Sequence, residues 1–298
     1  MAPGTLPLLG FSPPTIDDPL YAAQWFLPRI GVPEAWLAAA GRAFAPVTVA
    51  VLDSGIDVTH PDLAGRATLG PTFVAGTSSS ADDFGHGTHV AGIIGARSGN
   101  GIGVAAVAPE VRLLAIKVLD ARGGGTLAEV IAGLDAARAA GAKVVNMSFG
   151  TTRRSALLDQ AIARTLAAGI VVVAAAGNDG TDIVHFPAAT DGVIAVSAVD
   201  TADRRATFSS AGPQVRLAAP GVDIVSTGRG ARYAIASGTS QAAPVVAGAI
   251  ATVLAFRPWL GTPDLAALLH ATGDLTTGFT QDIRRLDLTE AIRRALAN

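Results

Sequence analysis

Between residues 47 and 198 the chain alternates short aliphatic, largely β-branched runs with longer stretches rich in Ala and Leu. Residues 47–52, 113–118, 144–148, 171–175 and 193–198 read as strands, because each is apolar almost throughout and too short for a helix. Residues 89–96, 127–140, 156–168 and 242–256 read as helices. Strands that are apolar on both faces need cover on both faces, so the pattern predicts an α/β fold of three layers, α/β/α, around a mostly parallel central sheet. In such a sheet ligands bind beyond the carboxyl ends of the strands. Residues 1–16 are rich in Pro and Gly without apolar periodicity and are expected to form an extended N-terminal arm. No internal repeat is present.

Composition narrows the picture. The chain has 298 residues, half of them hydrophobic and 15% charged. No polar linker or charge run divides it, so residues 17–298 are expected to form one domain with a large core. A net charge of -2 leaves no electrostatic footprint for nucleic acid or an anionic membrane surface. Cysteine is absent, which removes disulfides and thiolate metal sites without fixing a compartment. The apolar run 245–256, preceded by Ala242, Ala243 and a helix-start Pro244, is shorter than a bilayer span and is expected to be a buried core helix. The chain opens Met1-Ala2-Pro3-Gly4 and meets its first basic residue at Arg29, so a secretory signal with a charged first region is not expected in it.

Three segments carry chemistry: Asp53-Ser54-Gly55, His86-Gly87-Thr88-His89 and Gly238-Thr239-Ser240. A serine hydroxyl becomes a nucleophile only when a base takes its proton, and that base needs an acid behind it to hold one tautomer. Each residue alone has a plainer reading, such as a helix cap for Ser240 or a turn amide for Asn178. Asp53 follows the first predicted strand, while His86 and Ser240 open predicted helices, so all can converge on one sheet edge. His89 is expected to be a hydrogen-bonded core residue. A zinc pair on a helix would sit at i and i+4 with a Glu between, which this sequence lacks. The run from Gly99 to Gly103 lacks the preceding strand and the spacing of a phosphate loop.

The motifs Asp53-Ser54-Gly55-Ile56-Asp57, His60-Pro61-Asp62-Leu63, His86-Gly87-Thr88-His89-Val90-Ala91-Gly92 and Gly238-Thr239-Ser240 resemble those of the subtilisin-like serine peptidases, most closely the thermitase-like branch. The resemblance runs from about residue 17 to 298 and includes Asn146-Met147-Ser148-Phe149-Gly150 and Ala174-Ala175-Ala176-Gly177-Asn178. It implies a subtilisin-like fold and a serine endopeptidase that hydrolyses extended or unfolded polypeptides through an acyl-enzyme. It assigns Asp53, His86 and Ser240 to the triad and Asn178 to the oxyanion hole. Gly123, Gly124, Gly125, Ser148, Phe149 and Gly150 would hold the substrate as an added strand. Ala174, Ala175, Ala176 and Gly177 would wall the pocket for the residue before the cut, with His185, Phe186 and Pro187 at its base, no acid there, and Asp179 at the rim. Leu127, Val130 and Phe149 would line an apolar pocket three residues upstream. The implied preference is apolar at both positions.

The resemblance also implies structural calcium, held by Asp18, Asp62 and Asn100 with backbone carbonyls from the loop containing Arg97, Ile102 and Val104. Implied partners are polypeptide substrates and a propeptide or protein inhibitor. A monomer outside the cell is expected, with no nucleic acid or membrane partner. A catalytically silent peptide-binding relative and a maturation peptidase with one partner substrate remain open alternatives. One departure stands out: Gln241 follows the nucleophile where relatives usually carry Met.

Overall fold

A computed structural model describes residues 9–297. Nine strands form one sheet, in the spatial order Asp274–Leu275, Arg284–Arg285, Val215–Pro220, Ile194–Val199, Val171–Ala175, Val144–Met147, Val47–Asp53, Val111–Lys117 and Ala67–Thr72. Every neighbouring pair is parallel except the first, Asp274–Leu275 with Arg284–Arg285. The chain enters at Val47–Asp53 in mid-sheet, then builds outward on both sides, so the order reverses at that strand. Asp53 therefore ends the strand at the topological switch point, where an open α/β sheet leaves a crevice.

Alternation along each strand sends successive side chains to opposite layers. Val49 and Val51 join a core with the His86–Gly95 and Thr239–Phe256 helices, while Ala50 and Leu52 join a second core against the Leu127–Ala139 and Ala156–Ala167 helices. This is the expected three-layer arrangement. The expected strands all form, within two residues at either end; Ser148 lies just beyond its strand and is free to turn toward the site. The predicted helix at 89–96 starts three residues earlier, at His86.

The Thr239–Phe256 helix has 18 residues and is, among the described residues, the one helix long and apolar enough to cross a membrane. Of its residues 89% are buried inside the fold, packed against five strands of the sheet and the His86–Gly95 helix, which accounts for its apolarity on every side. The N-terminal arm is described from residue 9 onward, its first eight residues lying outside the described residues. Leu9–Gly10 pairs with Ala43–Phe44, and Phe11 buries its ring edge-on against Phe44 and Phe256, with centroids 5.6 and 5.5 Å apart. One aromatic anchor thus ties a strip without periodicity to the core.

An antiparallel ribbon, Ile224–Gly228 with Arg232–Ala236, stands outside the main sheet and packs on the His86–Gly95 helix. His89 explains this contact. Its buried Nε2 lies 3.1 Å from the Ile224 carbonyl and 3.2 Å from that of Ala234, one on each ribbon strand. The ribbon then leads directly into Gly238 and the helix that carries Ser240.

Candidate active site

Asp53 is completely buried and accepts hydrogen bonds from His86 Nδ1 at 2.8 and 2.9 Å through its two oxygens. The Ser54 N–H also donates to Asp53, at 2.7 Å. With its proton committed to the carboxylate at Nδ1, the imidazole presents Nε2 as a base. Burial pushes the His86 pKa down, but the Asp53 charge, the hydrogen bond to Asp53 and the Asp82 charge outweigh it and leave the pKa above the ordinary histidine value. The cation that forms when His86 takes a proton is therefore stabilised where it is needed.

His86 opens its helix only because the first turn lies directly on the Asp53 turn. A Cβ on Gly87 would stand 2.1 Å from the Gly55 carbonyl oxygen and 3.1 Å from Asp53 Cβ, so any other residue would force the helix away. The buried Asp82 carboxylate holds this contact. It accepts from the N–H groups of Phe84 (3.0 Å), Gly85 (2.8 Å) and Thr88 (2.9 Å), from the Thr88 hydroxyl, and from Ser54 Oγ at 2.8 Å. Ser54 Oγ in turn accepts from the Gly87 N–H at 3.0 Å. An anion at a helix N-terminus satisfies its orphan donors and suits its dipole. Sequence reading assigned Asp82 no role, because the capping signal it looks for is a polar residue directly before the helix, a position held here by Gly85.

Ser240 is the second residue of its helix. Its hydroxyl donates to the Ser148 carbonyl at 2.8 Å, while Ser148 Oγ donates back to the Ser240 carbonyl at 2.9 Å and accepts from Asn146 Nδ2. This reciprocal pair joins Ser240 to the end of the Val144–Met147 strand.

The Asn178 side chain has a fixed orientation, since its Oδ1 accepts from both the N–H and the hydroxyl of Thr239 at 2.9 Å. The amide Nδ2 is left to donate outward. A Cβ on Gly238 would stand 3.4 Å from Asn178 Nδ2 and 3.5 Å from the Ser240 nitrogen. Glycine thus keeps open a space flanked by two donors, the arrangement an oxyanion requires. Gln241 is almost fully buried behind it, with its Oε1 2.8 Å from the same Cβ position.

The segments expected to hold substrate also meet. Thr151 and Phe186 exchange backbone hydrogen bonds at 2.8 Å, and the His185 N–H donates to the Ala176 carbonyl at 2.9 Å, which joins residues 148–151, 174–177 and 185–187 into one wall. The His185 side chain backs that wall, its ring 2.8 Å from a Cβ position on Gly177 and its Cβ 2.9 Å from one on Gly150. An acid is closer to this base than expected: His185 Nε2 bonds Asp179 Oδ2 at 2.7 Å. Val130 and Phe149 share one apolar cluster, with Leu127 partly exposed one turn before Val130. Of the glycine run, Gly124 exchanges bonds with Asp120, and Gly123 donates to the Asp120 carbonyl. Gly125 makes no backbone hydrogen bond among the described residues. Phe84, which sequence reading passed over, is 47% exposed and lies against Gly123, where a Cβ would be 2.9 Å from its ring.

Asp18 and Asp62 are buried, and no ion pair to either is found among the described residues. Burial and the Asp62 charge raise the Asp18 pKa, although bonds from the 99–100 backbone oppose them. Asp62 accepts from Asn100 Nδ2 and the Val104 N–H at 3.0 Å, and its carbonyl accepts from the Arg97 N–H at 2.8 Å, so the 97–104 loop wraps both acids. Asn100 Oδ1 caps the Ile102 N–H. Among the described residues no three His, Cys, Asp or Glu side chains converge as a metal group. The groups found facing the two carboxylates are donors, the Gly99 N–H to Asp18 and Asn100 Nδ2 with the Val104 N–H to Asp62.

A family profile described as the subtilase family matches residues 45–286. Thermitase from Thermoactinomyces vulgaris is 39% identical over 265 residues, covering 89% of this chain and 93% of thermitase. The thermophilic serine proteinase of Bacillus sp. (strain AK1) is 47% identical over 207 residues; the match covers 70% of this chain and about half, 51%, of that protein. Among solved structures, a protease from Pseudoalteromonas arctica superimposes with a TM-score of 0.86 at 28% identity, covering 94% of this chain and 99% of the other.

The two histidines of one helix should titrate on opposite sides of the ordinary value of about 6.5. His89 is pulled down to about 4, first by burial, with the neighbouring His86 adding to it. Ring signals in an NMR titration should therefore place His86 above 6.5 and His89 near 4, and Asp53→Asn should lower only the former. Because the His89 pKa is depressed on folding, its contribution to stability is complete above about pH 6.5 and is lost as pH falls toward 4. Equal titration of both rings would contradict these environments.

Proposed function

This chain belongs to the subtilase family of serine peptidases, and from that premise we propose that it is an endopeptidase acting on extended or unfolded polypeptide, with Asp53, His86, Ser240 and Asn178 as its catalytic residues. Ser240 Oγ attacks the scissile carbonyl carbon while its proton passes to His86 Nε2. Asp53 holds the ring and stabilises the imidazolium. The carbonyl oxygen, now negative, enters the space beside Gly238 and accepts from Asn178 Nδ2 and the Ser240 N–H. His86 then gives its proton to the leaving amine, and water, activated by the same base, releases the acyl group. The observation that carries this reading is the open space between the two donors, located beside a serine on the same sheet edge as the Asp53–His86 pair.

Residues 17–298 are the peptidase domain in this reading, and residues 1–16 an arm outside the chemistry. The substrate lies as a strand between the segment of Gly123, Gly124 and Gly125 and that of Ser148, Phe149 and Gly150. The wall of Ala174, Ala175, Ala176 and Gly177, closed by His185, Phe186 and Pro187, receives a large apolar side chain before the cut. Leu127, Val130 and Phe149 receive an apolar group three residues upstream, and the Phe149 ring favours smaller ones. Asp179 is occupied by His185 and so does not make this a basic-residue pocket.

Calcium would be held by the carboxylates of Asp18 and Asp62, the Asn100 side chain and the carbonyls of Arg97, Ile102 and Val104. Its contribution is charge compensation and loop stability, with no part in bond cleavage. A monomer working outside the cell on polypeptides, with a propeptide or protein inhibitor as a further partner, completes the reading. The support for these last features is family likeness.

A digest of a denatured protein, with cut sites mapped by mass spectrometry, should show cleavage after many different large apolar residues and none by the Ser240→Ala variant. Cuts confined to Lys and Arg, or to one sequence, would overturn the broad apolar preference. For the metal, excess calcium should raise the melting temperature relative to chelator, with about 2.7 kcal/mol of stabilisation at 100 times the dissociation constant. Asp62→Ala should remove most of that difference. Identical melting curves in calcium and chelator would dismiss the site.

A further inference from the structure

We propose that Lys117 is a positioning residue, whose buried ammonium couples the Asp53–His86 pair to the substrate-holding edge and, with Asp83, sets the electrostatic field on that pair. The proposal rests on the peptidase reading above and names a residue outside the triad and the oxyanion donors.

Lys117 is the last residue of the Val111–Lys117 strand and the register partner of Asp53 on the adjacent strand. Its side chain is completely buried. The ammonium donates to the Ser54 carbonyl at 2.6 Å, to the Leu119 carbonyl at 2.9 Å and to Asp83 Oδ1 at 2.6 Å. These three acceptors belong to three functional segments. Ser54 lies directly behind the catalytic acid and donates its own N–H to Asp53. Asp83 lies three residues before His86. Leu119 begins the turn that leads to the glycine edge and donates its N–H to the Asp53 carbonyl at 3.1 Å.

A buried ammonium is costly unless each donor finds a partner, and here all three are used. Fixed donors also restrain their acceptors. Movement of the Asp53 turn, of the loop before His86 or of residues 119–125 would break a charge-assisted bond to a fully buried ammonium. Asp83 extends the linkage, since its carbonyl accepts from Arg229 Nη1 at 2.8 Å on the tip of the ribbon that leads to Ser240.

The charges that act most strongly on His86 are Asp53 on the strand and Asp82 in the preceding loop; His89 lies on its own helix, Asp57 is bonded to that helix through Thr88, and Lys117, Asp83 and Arg229 form a bonded chain one step further out. Lys117 favours the neutral imidazole and Asp83 favours the imidazolium. Removing one of them alone therefore moves the titration of His86 in a direction set by sign, which loss of packing does not do.

The test compares wild type, Lys117→Met, Asp83→Asn and the double variant on a one-residue ester and a peptide long enough to occupy the glycine edge, across pH. Lys117→Met should lower kcat on both substrates and raise KM for the long peptide only. It should also move the acid limb of kcat/KM upward by about half a unit, the Coulomb size for a single charge beyond direct contact in a screened interior. Asp83→Asn should move that limb downward, and the double variant should return it toward wild type. If both single variants leave the limb in place, or shift it the same way, the proposal is wrong. Should Lys117→Met fail to fold by circular dichroism, Asp83→Asn decides alone, because the Asp83 side chain is 38% exposed and Asn keeps an Oδ1 that accepts from Lys117. An inactive wild type would instead count against the peptidase reading.

Discussion

One buried carboxylate determines whether the rest of this site can exist. Asp82 gathers donors from Phe84, Gly85, Thr88 and Ser54 and thereby docks the start of the His86–Gly95 helix onto the carboxyl end of the Val47–Asp53 strand. Four N–H groups at a helix start are unpaired by construction, and burying them without partners costs about 1–3 kcal/mol each. By satisfying two of them, at Gly85 and Thr88, and by bonding Ser54, whose Oγ takes the Gly87 N–H, Asp82 makes it possible to bury a helix end against a strand end. His86 is the first residue of that helix, so its distance to Asp53 follows from the docking.

The nucleophile is placed by related means. Ser240 lies in the first turn of a second helix, whose start is held by Ser148 on one strand end and by Asn178 through Thr239 on another. Both helices bring their N-termini to the same sheet edge, where backbone donors and the helix field favour negative charge. The field that would oppose an imidazolium at His86 is offset by Asp53 and Asp82. At Ser240 the same kind of field assists, because the developing charge there is an oxyanion. The two ends of one proton transfer thus sit in fields of opposite use, and the carboxylates beside His86 make the difference.

Legibility in the sequence followed the kind of interaction involved. Central strands such as Val171–Ala175 were readable because burial on both faces demands an uninterrupted apolar run. The Ala67–Thr72 edge strand was not, since it mixes exposed Thr68, Leu69 and Pro71 with a glycine and looks like a loop. The ribbon was missed because Arg232–Ala236 is largely exposed and its turn places Gly230 and Ala231 at positive φ. Asp53, His86 and Ser240 were legible through local motifs. Lys117 and Asp82 were not, because a lysine at a strand end and an acid in a loop are usually solvated. Only the convergence of strand end, loop and turn shows that both are buried and fully bonded. The Asp179–His185 contact was hidden in the same way, six residues apart in a loop whose path no pattern encodes.

The central claim is that a helix docked by Asp82 presents His86 as the base for Ser240. It is tested most directly by the rate at which a fluorophosphonate modifies the protein, with the adduct located by peptide mass spectrometry. The account predicts a single adduct on Ser240 and, in Asp82→Asn, labelling slowed by about 10²-fold in a protein that remains folded, the scale of loss when a general base is misplaced. An adduct on another residue, or equal labelling rates in the two folded proteins, would contradict it.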